Sequence, residues 1–239
     1  MRKLLLILFV VFFSVGFYFF SRGELYRNVK ASCESQVPSR QCLKLDSNNS
    51  YYVFKDRKGE YHNLLVPIQE ISGVESGRLY FNGSNFFYNA WQDRGLLRLE
   101  GVRDETVYAL AVNSSYGRSQ DQFHIHISCL KPGVHRVLTK KVKNLRGQWE
   151  KLFIGKEKQE FNAVKISYLD FKGGAVFPLV FGFSVNNKVP LKKVGVGVVV
   201  FGEEVLVLVR VVDFRSFDFA SIGDILDYNC TLVEKSSSN

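Results

Sequence analysis

"GRSQDQFHIHISCLKPG", residues 117–133, decides how this chain is read. Within it, Phe123, Ile125 and Ile127 alternate with Gln122, His124, His126 and Ser128. Successive side chains on a strand point to opposite faces, so a period of two marks a half-buried strand. The three apolar residues enter the core together. An amide, two imidazoles and a hydroxyl then line the other face. Two of the chain's four histidines lie there. Pro132-Gly133 ends the strand.

Three chemistries use His-x-His on one strand face. Two neutral imidazoles can share a metal ion, with His62, His135 or a carboxylate as third ligand. One imidazole can act as general acid or base. One can attack phosphorus while its neighbour binds phosphoryl oxygens. A solvated face that merely carries two histidines is the bland alternative. The loop before the strand, "NSSYGRSQ" (113–120), offers a glycine for close backbone approach, Arg118 as a planar phosphate fork, and several hydroxyl and amide donors. That inventory suits a phosphate better than a metal.

The 239 residues, 46% hydrophobic and 23% charged, can bury a real core as one substantial domain or two small ones. The net charge of +9 is scattered rather than blocked. It reads either as a solvated basic surface or as attraction to an anionic membrane. No recognition motif accompanies it, so nucleic acid is not an expected partner. The N-terminus, "MRKLLLILFVVFFSVGFYFFSRGE", opens with two cations followed by an uncharged, almost wholly apolar run from Leu4 to Phe20. Residues 1–21 are expected to be an uncleaved membrane anchor at the short limit for a span, with a signal peptide as the competing reading. Either exports the rest. Four cysteines agree with export and allow three connectivities of two disulfides, with buried free thiols as the alternative. Cys33–Cys42, closing a short loop, is the economical pair, which leaves Cys129–Cys230. The chain has no CxxC, so neither thioredoxin-like redox chemistry nor a zinc ribbon is supported.

Along the chain, 22–32 reads as a polar linker. "YYVFKDRKGEYHNLLVPIQ" (51–69) reads as a hairpin, and "NFFYNAWQDRGLLRLE" (85–100) as a helix capped by Asn85. "VYALAVNS" is a strand, "LTKKVKNLRGQWEKLF" helix then loop, and "FNAVKISYLDF" and "AVFPLVFGFSV" β-rich. "VGVGVVVFGEEVLVLVRVVDF" is a hairpin turning at Gly202-Glu203. "SIGDILDYNC" is a short closing helix and "EKSSSN" a disordered tail. The order argues α+β with an antiparallel sheet.

"NSSYGRSQDQFHIHISC" resembles the signature of the histidine triad superfamily, His-φ-His-φ-His-φ-φ after a polar loop. The nearest resemblance is to its membrane-anchored branch, the bacterial CDP-diacylglycerol pyrophosphatases. "YYVFKD", "LLVP", "NFFYNAWQDR", "HIHISCLKP" and a late cysteine extend it over nearly the whole chain. The resemblance implies a HIT-like antiparallel sheet with packed helices over 33–235. It implies hydrolysis of CDP-diacylglycerol to CMP and phosphatidate, with His124 as nucleophile and His126 assisting at the phosphoryl oxygens or the leaving group. Gln122, Asn113, Arg118, Ser119 and Gln120 would bind phosphate, and His62, in "HNLLVP", would be a substrate contact. Trp91 and Gln92 read as helix packing near the site. No cofactor or metal is implied. The partners would be membrane lipids, and the place the bacterial inner membrane, single-pass, with the catalytic domain in the periplasm. The first triad position is Gln122 rather than histidine, which weakens any scheme needing three imidazoles in relay. A soluble-nucleotide hydrolase or transferase and a His-x-His metal module are the rival functions.

Overall fold

Alternation along the strands sorts the core onto two sides of one antiparallel sheet. The computed structural model describes residues 22–81, 85–155 and 159–236. The expected anchor, 1–21, lies outside them. Among the described residues no helix is long and apolar enough to cross a membrane. The strands are β1 (Cys42–Asp46), β2 (Tyr51–Lys55), β3 (Asn63–Pro67), β4 (Tyr108–Val112), β5 (Ile125–Leu130), β6 (Glu150–Ile154), β7 (Gln159–Ser167), β8 (Val194–Phe201), β9 (Glu204–Val211) and β10 (Leu226–Asp227). Their order is β1-β2-β3-β5-β4-β8-β9-β7-β6, with β10 paired to β5 beyond the end of β3. The fold class is α+β, as expected.

Both expected hairpins form. β2 and β3 pair from Tyr51↔Pro67 to Lys55↔Asn63, and β8 and β9 turn at Gly202, whose φ of +65° suits a residue without Cβ. One sheet face carries Val53, Leu65, Ile125, Ile127, Leu110 and the alternating valines of β8 and β9, such as Val196, Val198, Val207 and Val209. It is covered by the helices Phe86–Gln92 and Val176–Asn186. Asn85 caps the first of these, accepting from Tyr88 N–H at 3.4 Å.

The opposite face holds two separate apolar clusters. Tyr52, Phe54, Leu64 and Val66 pack under Val29 and Cys33 of helix α1 (Glu24–Cys33). Ala109, Ala111, Leu130, Leu206 and Leu208 pack under Val134 and Leu138 of the helix Pro132–Lys141 and under Ile222 and Ile225.

Five expectations need correction. The linker 22–32 contains α1, which docks because Val29 and Cys33 fall on one helical stripe. "AVFPLVFGFSV" is a helix, not a strand. Its buried residues, Val176, Phe177, Val180, Phe183 and Ser184, follow helical spacing, and Pro178 sits in the first turn, where its missing N–H costs nothing. Exposed Phe181 and Val185 on its outer side hid that period in the sequence. "QWEKLF" includes strand β6. "SIGDILDYNC" gives a 3-10 turn at Ile222–Ile225 and then β10, and a helix (Thr231–Ser236) reaches into the expected tail.

The disulfides pair as expected, Cys33–Cys42 and Cys129–Cys230, with sequence separations of 9 and 101. Loop closure therefore predicts unequal stabilisation: about 4.7 kcal/mol for a loop near 100 residues, below about 3 kcal/mol for one shorter than 15. Urea titrations of the Cys129→Ser/Cys230→Ser and Cys33→Ser/Cys42→Ser proteins should show the larger loss for the first pair.

Candidate active site

β5 lies between β3 and β4, and cross-strand register decides what stands beside each histidine. His126 faces Leu64 on one side and Ala111 on the other. Leu64 belongs to the cluster under α1 and Ala111 to the cluster under the helix Pro132–Lys141. His126 thus occupies the seam where neither cluster closes over the sheet. His124 precedes the first regular pair of β5. Gln122 makes an isolated bridge to Ser72. The expected facing holds: Phe123, Ile125 and Ile127 are buried in the main core, and His124 and His126 lie on the other side.

Hydrogen bonds fix every tautomer in the cluster. A backbone carbonyl can only accept, so His62 Nδ1, 3.0 Å from the Lys58 carbonyl, carries its proton there. Neutral His62 then accepts at Nε2, and His126 donates Nδ1–H across 2.9 Å. His126 Nε2 is left as the acceptor, with Asn113 Nδ2 at a long 3.4 Å. Asn113 is oriented by its Oδ1, which accepts from Gly223 N–H at 2.9 Å. His124 donates Nδ1–H to the Gln122 carbonyl at 2.7 Å, so its lone pair is on Nε2. The His124 and His126 rings meet edge to face with centroids 4.8 Å apart.

Burial keeps all three imidazoles neutral. It lowers His62 to about 4, against the pull of Asp56, whose carboxylate stands 3.6 Å from Nδ1. His124 is lowered by burial and by the Arg118 charge. His126 falls well below the ordinary histidine value through burial and its two imidazole neighbours. Tyr228 stacks on His62 at 3.9 Å, and the turn before His62 presses on it: a Cβ at Gly59 (φ +78°) would lie 2.3 Å from the Tyr228 Cβ.

The expected phosphate-binding residues have mixed fates. Asn113 reaches the imidazoles. Arg118 sits close enough to act on His124, but its fork is engaged bidentately by Glu75 at 2.6 and 2.8 Å, with Asp121 at 3.4 Å. Gln120 Oε1 accepts from Leu25 N–H of α1 at 2.7 Å. Ser119 is exposed on the same loop. The Gln122 side chain turns to the 67–71 segment, donating to the Pro67 and Gln69 carbonyls and accepting from Ile71 N–H. Gln122 acts on His124 through its backbone carbonyl instead. Gly117 approaches the protein's own chain, since a Cβ there would meet Ser221 Oγ at 2.6 Å and the Phe219 carbonyl at 2.8 Å.

His62, expected as a substrate contact, is 1% exposed, and its Nε2 meets His126 Nδ1 at 2.9 Å. His135 bonds Thr106 elsewhere, at 2.8 Å. Trp91 lies in the core of the opposite face, not near the site. Among the described residues no group of three or more His, Cys, Asp or Glu is placed to hold a metal. Asp56, Tyr228 and Gly223 escaped sequence reading, because only the β2–β3 hairpin and the docking of the 222–228 segment beside β5 bring them to the histidines and Asn113. For His62 a signal existed: it shares the parity of Leu64 and Val66 in "HNLLVP".

A groove of about 320 Å³ adjoins the seam, lined by Leu25 and Asn28 of α1, by Gln120, and by Phe54, Asp56 and Leu64 of the β2–β3 hairpin. Of solved structures, yeast Ap4A phosphorylase with bound AMP is 13% identical, with a TM-score of 0.42 over 70% of this chain and 58% of that one. The same enzyme with Ap4A is 15% identical, with a TM-score of 0.44 over 69% and 58%. A protein of Yersinia pestis named CDP-diacylglycerol pyrophosphatase is 29% identical over 244 residues, covering 97% of this chain and 95% of its own length. The profile of the CDP-diacylglycerol pyrophosphatases matches residues 20–234, and with a match of that extent this chain belongs to the CDP-diacylglycerol pyrophosphatase family.

Proposed function

We propose that the chain hydrolyses CDP-diacylglycerol to CMP and phosphatidate through a cytidylyl-histidine on His124, on a HIT-like scaffold. The observation that carries this is the 2.7 Å bond from His124 Nδ1–H to the Gln122 carbonyl, which leaves a neutral Nε2 lone pair. Nε2 attacks the cytidine-side phosphorus, and the bond from that phosphorus to the bridging oxygen breaks. Phosphatidate leaves with the electron pair. Water then attacks the same phosphorus, the P–N bond breaks, and CMP departs.

His126 serves the second step. Its Nε2, held only loosely by Asn113, takes the proton of the attacking water. As it does so, the Nδ1 proton moves toward His62, where the Asp56 carboxylate at 3.6 Å offsets the new charge. Three imidazoles therefore act together although the triad's first position is glutamine. His62, from β3, supplies the third. A metal module is disfavoured, because the third imidazole, His62, turns its two ring nitrogens to the Lys58 carbonyl and to His126 Nδ1 rather than toward a position shared with His124 and His126.

Residues 1–21 are read as an inner-membrane anchor, with the catalytic domain on the periplasmic side and beginning at α1. The apolar run and the two disulfides support that placement, since such bonds persist in oxidising compartments. A tethered site meets a lipid substrate at high effective concentration.

His124→Ala should reduce turnover to background, and mass spectrometry of protein quenched with cytidine-labelled lipid should lose the adduct seen in the parent. His126→Ala should retain the adduct but hydrolyse it about 10²–10⁴-fold more slowly. Near-parental rates for His124→Ala would remove the nucleophile assignment.

Protonation destroys the nucleophile, and burial lowers His124 below 6.5. The acid limb of kcat/KM should therefore lie below pH 6.5, with rates flat above it. Initial rates across pH would contradict the neutral site if the limb lay higher.

Gln122→Ala should act on stability more than on chemistry, costing about 1–3 kcal/mol by leaving buried backbone groups of 67–71 unpaired. Thermal melts, with single-turnover rates on the folded fraction, separate the two.

A further inference from the structure

We propose that the turn 213–219 is a docking tip that inserts into the interface of an anionic bilayer and seats the catalytic cleft against its headgroups. The inference rests on the lipid-hydrolase reading and names the surface that reading requires. Phe217 is 80% exposed, Phe214 48%, Phe219 42% and Tyr116 41%. Tyr116 meets Phe214 edge to face at 5.1 Å, and Phe214 lies 6.4 Å from Phe219, so the rings form one patch. Clustered exposed rings on a soluble surface mark an interaction site.

The patch is held rigid. Asp213 and Asp218 exchange backbone hydrogen bonds at 2.8 and 2.9 Å across the neck of the turn. The Asp213 carboxylate accepts from Arg215 N–H and Ser216 Oγ, and that of Asp218 from Arg210 Nε. The Asp218 charge is thus offset by Arg210, while the Asp213 carboxylate, held by neutral donors, is met within the turn by the cations beside it. Lys193 Nζ lies 5.3 Å over the Phe214 ring, and Arg215 stands within the turn. Aromatic rings beside cations are the chemistry of the bilayer interface, where rings sit at headgroup depth and ammonium or guanidinium groups meet phosphate.

Position argues for a bilayer rather than a protein. The loop 113–121 carries Tyr116, and Ser114 Oγ donates to the Phe219 carbonyl at 2.6 Å. The same loop ends on Asp121, which accepts from Arg22 Nε at 2.9 Å, where the expected anchor ends. The tip and the exit of the anchor are therefore fastened to one short loop, the loop that leads into His124. A span ending before Arg22 would hold that loop, and the tip bonded to it, close to the bilayer.

The test uses the full chain in vesicles of anionic phospholipid, with and without brominated acyl chains. In Phe217→Trp, fluorescence is compared with the parent, whose Trp91 and Trp149 give the background. Quenching of the added indole by brominated lipid is expected. An unquenched indole would overturn the proposal and leave the patch to a protein partner. Phe217→Asp should keep parental activity on CDP-diacylglycerol in detergent and lose on the order of tenfold on vesicles, roughly the worth of one buried aromatic side chain. Equal loss in both media would also overturn it. Absence of parental activity in detergent would sink the hydrolase reading instead, and the quenching measurement is independent of that.

Discussion

Two backbone carbonyls, of Lys58 and Gln122, set the chemistry of this protein. Each accepts an Nδ1 proton, from His62 and His124. Those acceptances fix His62 Nε2 as an acceptor, His126 Nδ1 as a donor, and the reactive lone pairs on His124 and His126 Nε2. A neutral imidazole has one donor and one acceptor, and the chain from Lys58 to Gly223 satisfies each in turn. A buried polar group with partners costs little, whereas a buried cation without a counter-charge costs much. Burial therefore favours neutral imidazole at His124 and His126, the form that attack on phosphorus would need, and only His62 has a carboxylate, Asp56, beside it.

That arrangement needs a strand whose polar face is neither solvated nor sealed. A single apolar cluster over the second face would have closed on β5. The sheet has two, one under α1 and one under the Pro132–Lys141 helix and the 222–226 segment. Both disulfides brace this gap from its sides. Cys33–Cys42 fastens α1 to β1, and Cys129–Cys230 fastens β5 to the segment carrying Tyr228.

What was legible in the sequence was local. The facing of Phe123 to Ser128, both hairpins, the Asn85 cap and the disulfide pairs follow from spacing or from elimination. What was not legible depended on distant partners or on a period masked by burial. Arg118 reads as a phosphate fork, and its ion pair with Glu75, far off in sequence, leaves no local signal. The helix Val176–Asn186 reads as strand because apolar residues lie on its outer face as well as its inner one. The bond from His62 to His126 is likewise set by the register of β3 against β5, which no local pattern shows.

Gln122, which stands where the resemblance to the histidine triad signature would put a histidine, is then less of a departure than it looks. The group that orients His124 is the carbonyl of residue 122, and every residue type has one. Its side chain is left to other work, and in Gln122 it ties three backbone groups of 67–71 to the start of the catalytic strand. A histidine offers one donor and one acceptor where the amide uses two donors and one acceptor. Substituting it would leave a buried carbonyl of Pro67 or Gln69 unpaired, so the third imidazole beside His124 and His126 comes from β3, as His62, while the strand position that a third histidine would fill holds the loop.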